Sequence, residues 1–172
     1  AYDMPAVHVG MPTISSALNI AMNLYGQEFL VAILAEPEAA DHDLRVINDL
    51  LVEIHQWYID NVPLDQLQPI CADSRYQPAG FGQLCACSAQ LISTATYAQH
   101  IMPLDAEILA LYPHGGMVHI CGNHTHQIPN WRAMPGVRAI QFNFPATVDF
   151  LQYWTELRGD QVLYLDHREE DL

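Results

Sequence analysis

Residues 115–126 read GGMVHICGNHTH and predict a short buried strand. A glycine pair opens the stretch, an apolar run follows it, and Gly122 ends the run. Side chains alternate along a strand, so His119 and Cys121 lie on the same face. An imidazole beside a thiol at the C-terminal end of a strand is a donor pair that suits zinc. The alternative is a buried strand whose histidine and cysteine only pack, since free cysteine is among the most buried residue types.

The composition predicts one globular domain and excludes two classes of partner. With 172 residues, 51% of them hydrophobic, the chain can bury a core of its own. The formal net charge is −14 and the sequence contains no lysine, so we expect no nucleic-acid partner. No apolar run reaches the roughly 18 residues of a membrane-spanning helix, so we expect no membrane partner.

The N-terminal residues and the cysteines bear on the compartment. The first ten residues, AYDMPAVHVG, lack both an initiator methionine and the basic segment of a signal peptide, which suggests a processed or partial chain. The cysteines are too few for a disulfide scaffold in a chain of this length: Cys71, Cys85, Cys87 and Cys121. They fit a reduced, cytoplasmic protein in which cysteine binds metal or reacts.

Strand and helix patterns alternate along the chain. Short apolar runs predict strands at 6–14, 67–73, 117–121, 137–142 and 162–165. Helical spacing and capping residues predict helices at 16–24, 27–34, 36–61, 94–111, 128–134 and 146–157. In the long third helix we expect Leu50, Leu51 and Ile54 to face the sheet. The alternation predicts an α/β fold with a parallel sheet, either an open doubly wound sheet or a barrel.

The polar residues cluster at one end of the predicted strands. No G-x-G-x-x-G or Walker motif follows a strand, so a nucleotide-binding open sheet has no support. Polar side chains come instead at strand C-terminal ends, at Asp73, at His119 with Cys121, and at Asn143. Barrel enzymes place their sites at these ends, and open sheets do so too.

Residues 74–93 predict a long loop that carries a second cysteine motif. The stretch has proline and glycine turn chemistry and no helical period, and a loop of this length is usually functional or mobile. Cys85 and Cys87 form a C-x-C pair inside it. The pair either ligates a metal or places two small side chains at the buried edge of a loop.

Four stretches together resemble the uroporphyrinogen decarboxylase superfamily. They are HVGMPTISSALNIAMNLYGQEFL, EPEAADHDLRVINDLLVEI, LISTATYAQHIMPLDAEIL and GGMVHICGNHTHQIPNWRAMPGVRAIQFN. The most specific piece is the helix that ends near a glycine pair and is followed by H-I-C-G. The resemblance implies a (β/α)8 TIM barrel. Because members are longer than this chain, it implies the central and C-terminal part of such a barrel, incomplete on the N-terminal side.

The resemblance implies one of two chemistries. One branch transfers methyl groups between a corrinoid and a thiol, with zinc held by an H-x-C pair and a distant cysteine; His119 and Cys121 fall on that pair. No cysteine follows Cys121, so the further ligand would be one of four residues: Cys85, Cys87, His124 or His126. The other branch decarboxylates a porphyrinogen polycarboxylate, for which the six arginines make a weak pocket.

We therefore predict a zinc-dependent corrinoid–thiol methyltransferase, with a decarboxylase as the first alternative and a non-catalytic barrel fragment or subunit as the second. Asp73 and Tyr76, just past a predicted strand end, are the candidate catalytic residues of the pocket. The expected partners are a small-molecule substrate and a corrinoid protein. An incomplete barrel exposes strand edges, so we also expect a homo-oligomer or a second chain that completes the barrel.

Overall fold

The computed structural model describes residues 8–12, 14–68, 77–143 and 149–165. Its strands are β1 (Val9–Gly10), β2 (Leu67–Gln68), β3 (Gly82–Cys85), β4 (Gly116–Ile120), β5 (Val137–Phe142) and β6 (Val162–Leu165). Its α-helices are α1 (Ala17–Tyr25), α2 (Glu28–Ala35), α3 (Pro37–Asn61), α4 (Thr94–Thr96), α5 (Met102–Ala110), α6 (Ile128–Ala133) and α7 (Phe150–Glu156). Two 3-10 turns, Cys87–Leu91 and Thr125–Gln127, follow β3 and β4. The predicted alternation of strands and helices is confirmed.

All strand pairs in the described residues are parallel. Strands β3, β4, β5 and β6 form a four-stranded sheet in chain order, and β1 pairs with β2 in a second, smaller sheet. The mixed α/β class with parallel strands is therefore confirmed. Neighbouring strands in chain order are the arrangement of a partial barrel, but the sheet does not close within the described ranges, so the (β/α)8 TIM barrel stays a prediction.

The two faces of the four-stranded sheet differ in chemistry. One face packs against the helices in the main core through apolar side chains: Leu84, Val118, Ile120, Ile140 and Phe142. Alternation places the intervening residues on the opposite face, which we call the polar face: Gln83, Cys85, Met117, His119, Ala139 and Gln141. The helices thus anchor the sheet from one side, and the functional side chains lie on the other.

The first helix is defined by its two ends. The Ser16 side chain caps α1 by accepting a hydrogen bond from the Asn19 backbone N–H, and Gly26 ends it with a φ of 76°. The segment before α1 lies beside β3, because the Ser16 N–H donates to the Cys85 carbonyl over 2.9 Å. This contact brings the first turn of α1 to the C-terminal end of β3.

Helix α3 follows the predicted bounds but not the whole predicted face. Pro37 occupies its first turn, and the helix ends at Asn61, two residues before Pro63. Leu51 is buried as predicted, with 5% of its surface exposed. Leu50 is 56% exposed, so its predicted contact with the sheet is wrong: one turn of helix cannot point two consecutive side chains into the same layer.

The helix predicted at 94–111 is continuous but irregular. α4 and α5 are joined by a π-helical turn, Tyr97–Ile101, just before Pro103. Proline has no N–H and its ring collides with the carbonyl one turn back, and the wider π turn accommodates both. Among the described residues no single helix has the length and apolarity of a membrane span; α1 and α2 reach them only as a pair bent by 114°.

The predicted loop at 74–93 contains a strand, so that prediction is wrong in its centre. Residues Gly82–Cys85 form β3, which pairs with β4 along its whole length. Glycine and glutamine are weak strand formers, and the ladder to β4 overrides that preference. The Tyr112 ring packs against Gly82 so closely that a Cβ would collide with it, which explains the glycine at this position.

Candidate metal centre

Side chains from adjacent strands line up in a row across the polar face, where strands β3 and β4 end. The strand register places four residues side by side in this row: Cys85, His119, Gln141 and Tyr164. Cys87 and Cys121 each come two residues later, beyond the ends of β3 and β4. Parallel strands thus bring two separate motifs, C-x-C and H-x-C, to the same edge of the sheet.

Three sulfurs and one imidazole meet at this edge. The Sγ atoms of Cys85 and Cys87 are 3.3 Å apart, and the donor atoms of Cys85, Cys87 and His119 all lie within 4.8 Å of one another. The Nε2 atom of His119 is 3.1 Å from the Sγ atom of Cys121. The three thiols are half-buried and free of disulfides, and His119 is 7% exposed. We call these four residues the thiol–imidazole cluster.

The cluster has the donors and nearly the dimensions of a tetrahedral zinc site. With Zn–S near 2.3 Å and Zn–N near 2.0–2.1 Å, two bound sulfurs are about 3.7 Å apart and a bound nitrogen and sulfur about 3.5 Å apart. The observed separations, 3.3 Å for Cys85 to Cys87 and 3.1 Å for His119 to Cys121, are shorter by a few tenths of an ångström. Small side-chain rotations would open the cluster to an ion, so the residues fit zinc.

The thiols are electrostatically unequal. Cys87 lies between the other two and donates hydrogen bonds toward the sulfurs of Cys85 and Cys121. The bond from Cys87 lowers the pKa of Cys85, and for Cys121 the same bond and the one from His119 lower the pKa. The pKa of Cys87 itself is raised, because it is the proton donor in both contacts and is desolvated. The arrangement therefore favours thiolates at the two flanking positions.

Gln141 fixes the orientation of the His119 ring. Its Oε1 atom faces the Nδ1 atom of His119, and its Nε2 atom donates to the Phe142 carbonyl over 2.8 Å. With the amide oriented in this way, Nδ1 donates to it and Nε2 is left to face the sulfurs. Burial lowers the pKa of His119, but its hydrogen bonds to Cys121 and Gln141 outweigh burial and the net shift is upward.

Asn19 holds the C-x-C segment from the first turn of α1. Its Nδ2 atom donates to the Cys85 carbonyl over 2.9 Å and lies 3.6 Å from the Cys85 sulfur, and its Oδ1 atom accepts from the Ser88 N–H over 2.8 Å. The amide thereby ties together both ends of the segment that carries Cys87. Sequence reasoning missed both Asn19 and Gln141, because an amide inside an apolar helix or strand carries no motif.

Among the four candidates for further ligands, the structure brings two cysteines to His119 and engages the two histidines elsewhere. His124 contacts the carbonyls of Gly122 and Cys87, each over 3.1 Å. The Nε2 atom of His126 bonds to the Ile92 carbonyl over 3.0 Å. Since carbonyls already occupy these ring nitrogens, His124 and His126 shape the loops around the cluster.

The remaining predicted positions lie elsewhere. Asp73 and Tyr76, and with them Cys71, fall outside the described residues. Asn143 follows β5 at the same end of the sheet, and its Oδ1 atom is buried without a hydrogen-bond partner. The described part of the site thus consists of the thiol–imidazole cluster and the two amides that hold it.

Comparison with known proteins leaves the assignment to the residues themselves. No protein-family model, curated protein or solved structure matches the chain. The resemblance to the uroporphyrinogen decarboxylase superfamily therefore stands on the stretches quoted above, and the chemistry of the cluster is argued from its own geometry.

Proposed function

We propose that the chain is a zinc-dependent enzyme that transfers a methyl group from a corrinoid to a thiol. The observation that carries the proposal is the convergence of Cys85, Cys87 and His119, with Cys121 beside the imidazole, at the C-terminal ends of adjacent parallel strands. Soft sulfur and imidazole donors select zinc over the hard cations. The sequence resemblance supplies the reaction class and the corrinoid donor.

The cluster has the donor set that thiol chemistry needs. Cys85, Cys87 and His119 would hold the metal, and Cys121 supplies a fourth donor or yields its place to a substrate thiol. Bound zinc lowers the pKa of a thiol that coordinates it and keeps a thiolate available near neutral pH. In the transfer the substrate sulfur attacks the methyl carbon, and the carbon–cobalt bond breaks with its electron pair left on cobalt. Asn19 and Gln141 hold the cysteine segment and the imidazole in place.

The partners follow from this chemistry. A methyl acceptor of this kind is a small thiol, and a corrinoid is usually presented by a protein that carries it. A second copy of the chain, or a second chain, would complete the barrel that the resemblance implies. Each of these partners belongs to the proposal.

Two measurements test the proposal. After dialysis against a mild chelator we expect near-stoichiometric zinc in the wild type and little in Cys85→Ser and His119→Gln. With methylcobalamin and 2-mercaptoethanol as substrates, we expect the zinc-loaded chain to demethylate the corrinoid and both variants to lose this activity. His42→Gln is the matched control, because His42 is exposed on α3, and it should behave as the wild type.

Three results would reject the proposal. Zinc absent from the wild type, or equal in the wild type and the cluster variants, removes the metal site. Zinc binding without any methyl transfer leaves a structural metal site. Metal-independent release of carbon dioxide from a porphyrinogen substrate would establish the decarboxylase alternative.

A further inference from the structure

Three thiols in contact are a redox centre as well as a donor set. Cys87 is the middle sulfur: it lies 3.3 Å from the sulfur of Cys85 and close enough to Cys121 to donate a hydrogen bond. All three side chains keep part of their surface exposed, so a small oxidant can reach them. The described structure contains no disulfide among them.

We propose that the metal-free cluster reduces hydroperoxides, with Cys121 as the attacking thiol and Cys87 as the resolving thiol, and ends as a Cys87–Cys121 disulfide. This activity uses residues of the proposed zinc site, but it does not depend on methyl transfer. It makes the oxidation state of the cluster the switch that decides whether the metal can bind.

The first step belongs to Cys121 and His119. Because Gln141 faces Nδ1, the Nε2 atom of His119 is free to take the proton of the Cys121 thiol over 3.1 Å. The Cys121 sulfur then attacks one oxygen of the hydroperoxide and the O–O bond breaks. The leaving oxygen takes the proton back from His119, so the products are an alcohol, or water, and a sulfenic acid on Cys121.

The second step belongs to Cys87. Its sulfur attacks the Cys121 sulfur, the S–O bond of the sulfenic acid breaks, and the hydroxide leaves with the Cys87 proton as water. Overall, two thiols and one hydroperoxide give one disulfide, one alcohol and one water. The hydroperoxide is reduced and the two sulfurs are oxidised, and no other co-reactant is needed.

Strand geometry favours Cys87–Cys121 over Cys85–Cys87 as the final pair. The ladder between β3 and β4 continues past the strands, since the Ala86 N–H donates to the His119 carbonyl over 3.0 Å. Neighbouring residues on such strands have Cα atoms about 4.8 Å apart, well inside the range of a disulfide. Cys85 and Cys87 are two residues apart on one chain, where extended Cα atoms are about 6–7 Å apart, at the long end of that range.

The disulfide and the metal exclude each other. A disulfide brings the two sulfurs to about 2 Å and removes their thiolates, whereas zinc needs them separated and ionised. Oxidation would therefore release bound metal, and bound metal would protect the thiols. Reduction of the disulfide by an external thiol would restore the site.

The test uses the full chain, reduced, stripped of metal with a chelator, and carrying Cys71→Ser so that only the cluster thiols remain. One equivalent of hydrogen peroxide should consume two thiols per chain and yield a Cys87–Cys121 linked peptide in mass spectrometry. Cys87→Ser should stop at a sulfenic acid that dimedone traps, and Cys121→Ser should react no faster than free cysteine. His119→Gln should slow the reaction by roughly 100-fold.

Cys85→Ser is the matched control, because it removes a cluster thiol and should leave the disulfide intact. The inference is overturned if the linked peptide joins Cys85 to Cys87, if Cys85→Ser abolishes the disulfide, or if the wild type reacts at the rate of free cysteine. Prior loading with zinc separates the two proposals. A chain that forms the disulfide but never binds zinc loses only the proposed function, and a chain that binds zinc but forms no disulfide loses only the present inference.

Discussion

Asp105 is a buried carboxyl group that the cluster does not use. It is 0% exposed, its Oδ2 atom accepts from the Tyr97 hydroxyl over 2.6 Å, and its Oδ1 atom has no partner. Burial raises the pKa of Asp105 to about 7, although the bond from Tyr97 acts in the opposite direction. The folded protein therefore holds Asp105 protonated over a pH range in which the unfolded chain ionises it.

Asp105 should make the fold less stable as the pH rises. Its folded pKa lies above the unfolded value, so its contribution to stability is fully present below about pH 4 and is lost as the pH rises towards about 7. We expect the unfolding free energy of Asp105→Asn to gain on the wild type across this range, by roughly 4 kcal/mol at most. Urea denaturation at several pH values measures the difference, with the exposed Glu53→Gln as control.

His55 acts in the opposite direction and must be kept apart from Asp105. Burial lowers the pKa of His55 to about 4, so its stabilising effect is present above pH 6.5 and is lost as the pH falls to about 4. The two slopes oppose each other in the wild type. Only the difference between Asp105→Asn and the wild type is informative, and a difference that does not change with pH would contradict the assignment of Asp105.

At the scale of elements, helix α3 shows how burial separates adjacent residues. Leu51 is in the main core, whereas its neighbour Leu50 is 56% exposed. The two residues have the same side chain and the same helix propensity, so they form a matched pair of substitutions.

Leu51→Ala should destabilise the fold by roughly 2–5 kcal/mol, because it removes buried methyl groups and leaves a cavity. Leu50→Ala should change the unfolding free energy by less than about 0.5 kcal/mol, because the leucine is mostly in water. Thermal and urea denaturation of the two variants measure the contrast. Equal losses in both variants would show that the helix is rotated relative to the structure.

At the scale of the whole molecule, the C-terminal side of the sheet exposes apolar surface. In the described ranges β6 pairs with β5 alone, and Val162 and Leu165 on it are 59% and 45% exposed. Leu151 and Trp154 on the adjacent helix α7 are 74% and 68% exposed. An apolar edge of this kind favours association with another chain.

We expect the chain to sediment as a dimer or larger species at micromolar concentration. Leu151→Ser combined with Trp154→Ser should shift it toward the monomer, because the substitutions make the exposed face of α7 polar. Leu34→Ser is the control, since Leu34 on α2 is as exposed as Leu151 but lies on another part of the molecule. A monomer at all concentrations, or an equal shift in the control, would contradict association through this edge.

The sequence by itself determined the elements whose signals are local. The cap at Ser16 and the stop at Gly26 define α1, the proline in the first turn and the apolar spacing define α3, and apolar runs bounded by turns define β5 and β6. The same alternation predicted that His119 and Cys121 share one face. These features depend on neighbours within a few residues, so periodicity and capping are enough to find them.

Only the tertiary structure decided which residues complete the cluster. Strand β3 exists because the ladder to β4 and the Tyr112 ring stabilise a segment with weak strand propensity. The register of that ladder sets Cys85 beside His119, and the position of α1 brings Asn19 to the cysteine segment. Contacts between residues far apart in the chain depend on packing and register, which leave no periodic trace in the sequence, so the metal centre emerges only when the strands are placed side by side.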